Sequence, residues 1–362
     1  MTMPPRALFL AATPLHTFFA LGLMHGPYRG QAHTLALVDQ PAGARDLLGE
    51  ALEEGGEGAP EVRRFPALRD AAVPPRRLLR EVSELAAALR PETIAVGNDH
   101  RLEFYAALRG WPAAHRTYID DGLYSYLPRE DARPAWREGL SNWRRGLKYG
   151  LALERPSSVG GSRAVQDAYV LLPERVHAGL AGKPVRRLEP AWFAEPAVRA
   201  ACLRAAALAG FDAARAASIG LLLLLPHPRF LRADPALRAR IGALAAEHAA
   251  RGATVALKSH PDGDRLTLAE QLGALPAGIV ELPARMPVEV LAPLLSGTLV
   301  AGSLTTALLT LRLLGRGLEV RSLQGAAAAE AGARGEAARR FRAQAAEIYR
   351  AVGIRPLDGD GA

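Results

Sequence analysis

Five short polar clusters in this 362-residue chain carry the groups that acid–base and phosphate chemistry uses. They are Thr13-Pro14-Leu15-His16, Gly97-Asn98-Asp99, Asp120-Asp121-Gly122, Lys258-Ser259-His260-Pro261 and Gly302-Ser303-Leu304-Thr305-Thr306. A carboxylate in a half-buried cleft is tunable as a general base. Adjacent residues leaving a strand point to opposite sides, so one of Asp120 and Asp121 is expected to face a ligand. Gly122 permits the tight turn that follows. An Asx turn or a helix N-cap would explain the same tripeptide. Pro261 fixes the backbone just after His260. A cationic imidazole there, beside Lys258, suits neutralising or protonating a leaving phosphate; the alternative is a loop histidine with no role. Pro226-His227-Pro228-Arg229 is a second His-Pro pair, and the neighbouring Lys258 makes His260 the preferred one. Ser303, Thr305 and Thr306 place three hydroxyls ahead of a helix, where free N–H groups attract anions. Ordinary capping would need only one of them.

The elements that position these clusters read as alternating strand and helix. Arg6–Ala12 is a short apolar run fit for a buried strand, and Leu15–Met24 has helical spacing. Thr34–Val38, Thr93–Val96 and Arg116–Ile119 are further strands, with helices over Leu78–Leu89 and Leu102–Leu108. A second series runs from Pro196: strands over Ile219–Leu225, Thr254–Leu257, Gly278–Glu281 and Thr298–Ala301, with helices between them. Strand then helix, repeated, predicts a parallel sheet covered on both faces. Each half therefore reads as a doubly wound α/β unit, and all five clusters fall where strands end. Ligands bind at that end of an open parallel sheet. The tail, 326–362, reads as helical.

Composition narrows the function classes. Half of the residues are hydrophobic, at 49%, which excludes wholesale disorder. No apolar run approaches the ~20 residues of a spanning helix, and the first residues lack the pattern of a secretory signal. A cytoplasmic protein is expected. Cys202 is the only cysteine, so an internal disulfide and a thiolate zinc cluster are excluded, and it reads as helix packing. No P-loop, G-x-S-x-G elbow or helical His-x-x-x-His site occurs, and no metal is expected. The net charge of +8 suits an anionic partner. Arginine is spread along the chain and aromatics are only 6%, so nucleic acid is not expected.

The stretch from Pro128 to Leu188 breaks the alternation, and Ser157–Ser162 reads as a flexible break. Trp136, Trp143 and Tyr149 are interleaved there with Arg137, Arg144, Arg145 and Lys148. A solvated loop or helix pair would explain this. So would an interfacial segment meeting anionic lipid or a polyanionic acceptor, which implies peripheral contact with an anionic inner membrane.

The ordered set Asp120-Asp121-Gly122, His260-Pro261 and Thr305-Thr306 resembles the D/E-D/E-G, H-P and paired S/T motifs of bacterial sialyltransferases and their polysialyltransferase-like branch. His16 and Asn98, in Thr13-Pro14-Leu15-His16 and Gly97-Asn98-Asp99, also look like that branch. The resemblance implies a GT-B fold: an acceptor-side domain over 1–190, a nucleotide-sugar domain over 191–325, and two sheets facing across a cleft. It implies a CMP-activated nonulosonic acid as donor, a glycan or glycolipid acceptor, inversion without a metal, and no cofactor. Asp120 would be the base, with Asp121 in reserve, and His260 the acid for departing CMP. Thr305 and Thr306, with Gly122, Lys258, Pro261, Ser303, Asn98 and His16 around them, would bind substrate. CMP-Kdo, CMP-pseudaminic acid or a UDP-sugar is the alternative donor, and a non-enzymatic basic binding protein the alternative class.

Overall fold

The computed structural model describes residues 4–40, 46–55, 58–69, 74–127, 135–154, 156, 158–260, 266–273, 275–323 and 336–357. The chain divides into two compact units, Met1–Ala201 and Cys202–Ala362. In the first, the order is β1 (Arg6–Ala11), α1 (Pro14–His25), β2 (Ala32–Gln40), α2 (Leu47–Glu53), β3 (Glu61–Pro66), α3 (Pro75–Leu89), β4 (Thr93–Val96), α4 (Leu102–Gly110), β5 (His115–Ile119), α5 (Ala135–Tyr149), β6 (Asp167–Val170), α6 (Ala178–Ala181), β7 (Val185–Arg187) and α7 (Pro190–Phe193). Helix α8 (Pro196–Leu208) contains the division. The second unit follows with β8 (Ile219–Leu224), α9 (Pro228–Ala233), α10 (Pro235–Ala250), β9 (Thr254–Lys258), α11 (Leu268–Leu272), β10 (Val280–Leu282), β11 (Leu299–Gly302), α12 (Thr306–Leu314), β12 (Glu319–Ser322), α13 (Glu336–Ala351) and β13 (Arg355–Pro356).

Both sheets are parallel throughout. Their orders are β3-β2-β1-β4-β5-β6-β7 and β10-β9-β8-β11-β12-β13. Each sheet therefore reverses direction once, between β1 and β4 in the first unit and between β8 and β11 in the second. These are the points where a doubly wound sheet leaves a crevice at its carboxyl edge.

The central strands form because they are apolar on both faces. Ala7–Ala11 of β1 and Leu221–Leu224 of β8 are buried without alternation, as a sheet covered by helices demands. Leu221, Leu223, Val255 and Leu257 pack with Leu237 and Ile241 of α10 into the second unit's core. Burying each such side chain contributes about 1.5–3 kcal/mol. In the first unit α1 comes close to α7. A Cβ on Gly22 would stand 2.4 Å from the Phe193 ring, so only glycine lets the helices approach.

The segment read as a flexible break is an ordered turn over its described residues, 158–162. The buried Asp99 carboxylate accepts Gly160 N–H at 2.7 Å and Ser162 N–H at 2.8 Å. The C-terminal tail is built into the second unit: Arg342 of α13 lies over Phe230, and β13 pairs with β12.

Candidate active site

The first unit brings three of the expected residues together at its crevice. Thr13 caps α1 by accepting His16 N–H at 3.3 Å, which fixes His16 in the first turn beyond β1. The His16 ring is buried and lies flat against Gly97, where any Cβ would fall 2.2 Å from it. Ala12 N–H donates to His16 Nδ1 at 3.4 Å, so Nε2 carries the ring proton and donates it to Asp121 Oδ1 at 2.8 Å. Asn98, at the end of β4, donates Nδ2–H to Asp121 Oδ2 at 3.0 Å. Its own Oδ1 accepts His100 N–H at 3.0 Å, which sets the amide the right way round. The Asp121 carboxylate is thus held by His16 and Asn98, while 14% of its side chain remains open to solvent. Each oxygen keeps a lone pair for a further proton.

Asp120, the first choice as base, sits quite differently. It is fully buried. Its Oδ1 accepts Gly122 N–H at 2.7 Å and the Ser125 hydroxyl at 2.8 Å. Its Oδ2 accepts Leu171 N–H at 2.7 Å and the Tyr126 hydroxyl. Gly122 has φ of 68°, the left-handed turn that returns its N–H to Asp120. Burial outweighs these four donors and pushes the Asp120 carboxyl up to about 6. Titration and access therefore single out different carboxylates. A base must touch the proton it takes, and of the two carboxylates Asp121 is the one open to solvent. Asp120 is the post on which the turn 120–126 and the end of β6 are hung.

In the second unit the clusters again gather beyond strand ends. Thr305 is the N-cap of α12, accepting Ala307 N–H at 3.4 Å, and Thr306 begins the helix. Ser303 Oγ is buried with no hydrogen-bond partner among the described residues, an exception to the rule that buried hydroxyls are satisfied. Tyr349 of α13 fixes this turn from behind: its hydroxyl accepts Thr305 N–H at 2.7 Å and donates to Thr305 C=O. Sequence reasoning did not find Tyr349; its one signal is an aromatic near the end of a tail otherwise rich in Ala, Arg and Glu.

Lys258, expected to bind substrate, turns inward. Its ammonium donates to Ser259 C=O at 3.0 Å and Ala284 C=O at 2.7 Å, and burial lowers its pKa to about 8. It braces the loop, so the ground for preferring His260 over His227 is removed. The two imidazoles in fact lie together, with centroids 5.2 Å apart, and His227 Nδ1 also accepts Arg229 N–H at the start of α9. Pro261 lies outside the described residues.

No family model matches the chain, and no curated protein matches it by sequence. Solved structures do match its fold. An α/β-galactoside α-2,3-sialyltransferase from the luminous marine bacterium Photobacterium phosphoreum aligns with a TM-score of 0.56 at 10% identity, covering 99% of this chain and 100% of that one. A UDP-GlcNAc 2-epimerase from Methanocaldococcus jannaschii aligns at 0.48 and 11% identity, over 95% and 92%. An Acinetobacter baumannii MurG aligns at 0.44 and 11%, over 98% and 85%. The first is a likeness of fold: this chain has the two-unit α/β architecture, GT-B, of that sialyltransferase.

Proposed function

We propose that this protein is an inverting, metal-independent glycosyltransferase that moves a nonulosonic acid from a CMP-activated donor to a surface glycan or lipid-linked acceptor. The observation that carries this reading is Asp121, a partly open carboxylate held by His16 and Asn98 at the crevice of the first sheet. In this account Asp121 takes the proton of the acceptor hydroxyl, and the oxygen attacks the anomeric carbon. The bond from that carbon to the CMP phosphate breaks, and CMP leaves with the electron pair. His16 N–H and Asn98 N–H hold the carboxylate aimed before reaction. Such a base contributes about 10²–10⁴-fold.

The second unit carries groups suited to bind a donor's phosphate. The unpartnered Ser303 hydroxyl and the start of α12 with Thr305 and Thr306 suit a phosphate. The imidazole of His260, with His227 beside it, is the group proposed to protonate or neutralise that phosphate.

The test is transfer and donor hydrolysis measured across CMP-sialic acid, CMP-Kdo, CMP-pseudaminic acid and a set of UDP-sugars. CMP-sialic acid turnover exceeding the rest supports the proposal. A preference for CMP-Kdo or CMP-pseudaminic acid replaces the donor sugar, and a preference for UDP-sugars removes the CMP reading. Absence of turnover with every donor, in protein that binds no nucleotide, removes the enzyme reading.

A further inference from the structure

Helix α5 is an amphipathic helix whose apolar side is exposed among the described residues. Trp136, Leu140, Trp143 and Leu147 are 67%, 43%, 62% and 62% exposed. At 100° per residue these four fall within an arc of about 60°. Arg137, Arg144 and Lys148, all exposed, follow the same turns and form a row directly beside that arc. Neither Arg144 nor Lys148 is in an ion pair among the described residues. On the other flank, Gly139 and Gly146 leave an open groove of about 610 Å³, with Trp143, Leu147 and Leu151 in its walls. Arginines of the neighbouring helices hold the C-terminal end of α5. Arg76 of α3 donates to Lys148 C=O at 2.7 Å, and Arg109 of α4 to Gly150 C=O at 3.2 Å. These arginines satisfy carbonyls at its C-terminus and add positive charge there.

We infer that α5 lies on an anionic lipid surface, with Trp136, Leu140, Trp143 and Leu147 inserted among the lipid chains and Arg137, Arg144 and Lys148 on the headgroups. Tryptophan prefers the boundary between headgroups and chains, and long cationic side chains reach from there to phosphate. Its charge favours anionic lipid over a second copy of the chain. A row of like charges along the stripe opposes an antiparallel copy, whose own row would meet it. The inference is independent of the donor, since vesicle binding needs no nucleotide sugar.

The experiment is sedimentation of the full chain with vesicles of phosphatidylcholine alone or mixed with phosphatidylglycerol, at low and high salt. Each cation near an anionic surface is worth about fivefold in partition. The double variant Arg144→Glu with Lys148→Glu should therefore bind the mixed vesicles at least about tenfold more weakly. Trp136→Ser with Trp143→Ser should lose a similar factor, and tryptophan emission of the wild type should shift to the blue only with the mixed vesicles. All these side chains are exposed, so the melting temperature should not change, and a variant that melts normally but fails to bind reports on the surface alone. Three results would overturn the inference. They are binding to neither vesicle, binding indifferent to both double variants, and a wild-type dimer that the tryptophan variant abolishes while vesicle binding persists.

Discussion

Tyr349→Phe removes one oxygen and nothing else from the core of the second unit. That oxygen serves two backbone groups of Thr305, accepting its N–H at 2.7 Å and donating to its carbonyl. Tyr349 itself is 2% exposed, so water does not replace the hydroxyl from the side of α13. Leaving a buried donor unsatisfied costs about 1–3 kcal/mol. For a unit of this size that lowers its melting temperature by roughly 2–4 °C per kcal/mol, or about 2–12 °C in all. The variant also frees the turn ahead of α12, so its N–H groups no longer stand in one arrangement for a phosphate. CMP affinity should fall about threefold to tenfold, a part of the energy of one hydrogen bond to a charged group. Calorimetry with and without CMP reads both effects. The first unit's transition, if separately resolved, should not move. A Tyr349→Phe protein that melts within 1 °C of wild type and binds CMP equally would refute the reasoning, because the hydroxyl would then support nothing.

Other outcomes are equally specific. Thr305→Ala with Thr306→Ala should weaken CMP binding by about 1–3 kcal/mol in titration calorimetry. Gly97→Ala would put a methyl 2.2 Å from the His16 ring, so His16 must shift from Asp121; transfer should fall about 10²-fold with about 1–3 kcal/mol lost in urea unfolding. Asp120, raised to about 6 by burial, binds a proton more readily in the folded than in the unfolded chain. Its contribution to stability is therefore full below the ordinary aspartate range and is lost as pH rises through about 6. Relative to Asp120→Asn, which does not titrate, wild type should gain stability as pH falls from 7 toward 4, with a slope of at most about 1.4 kcal/mol per pH unit. Denaturant curves at several pH values measure that slope.

The central strands and the placement of the clusters were legible because both follow from burial. Thr93–Val96 and Pro196–Leu208 coincide with the expected elements, since continuous apolar runs and a first-turn proline admit one reading. Three of the four edge strands were not legible: β3 (Glu61–Pro66) is mostly exposed, and β7 (Val185–Arg187) and β13 are short and charged. Edge strands carry charge to prevent further pairing, which erases the apolar signal. Periodicity said that Asp120 and Asp121 face opposite ways but could not say which faces out. That depends on Ser125, Tyr126 and Leu171 converging on Asp120, and Leu171 is a contact 51 residues away. The link from Tyr349 to Thr305 spans 44 residues and is equally beyond local pattern. Lys258 misled for a related reason: a lysine beside a histidine reads as an anion site until its ammonium is found on two carbonyls.

The central claim is that Asp121, held by His16 and Asn98, is the base. Asp121→Asn keeps the shape of the side chain and removes its basicity, and Asp120→Asn does the same one residue earlier. The measurement is single-turnover transfer from CMP-sialic acid by both variants, normalised to folded protein by CMP binding. The account predicts that Asp121→Asn loses about 10²–10⁴-fold with CMP affinity and melting temperature unchanged, while Asp120→Asn stays within about tenfold of wild type, its effect falling on stability. Wild-type turnover by folded Asp121→Asn, with the loss appearing in Asp120→Asn instead, would contradict it.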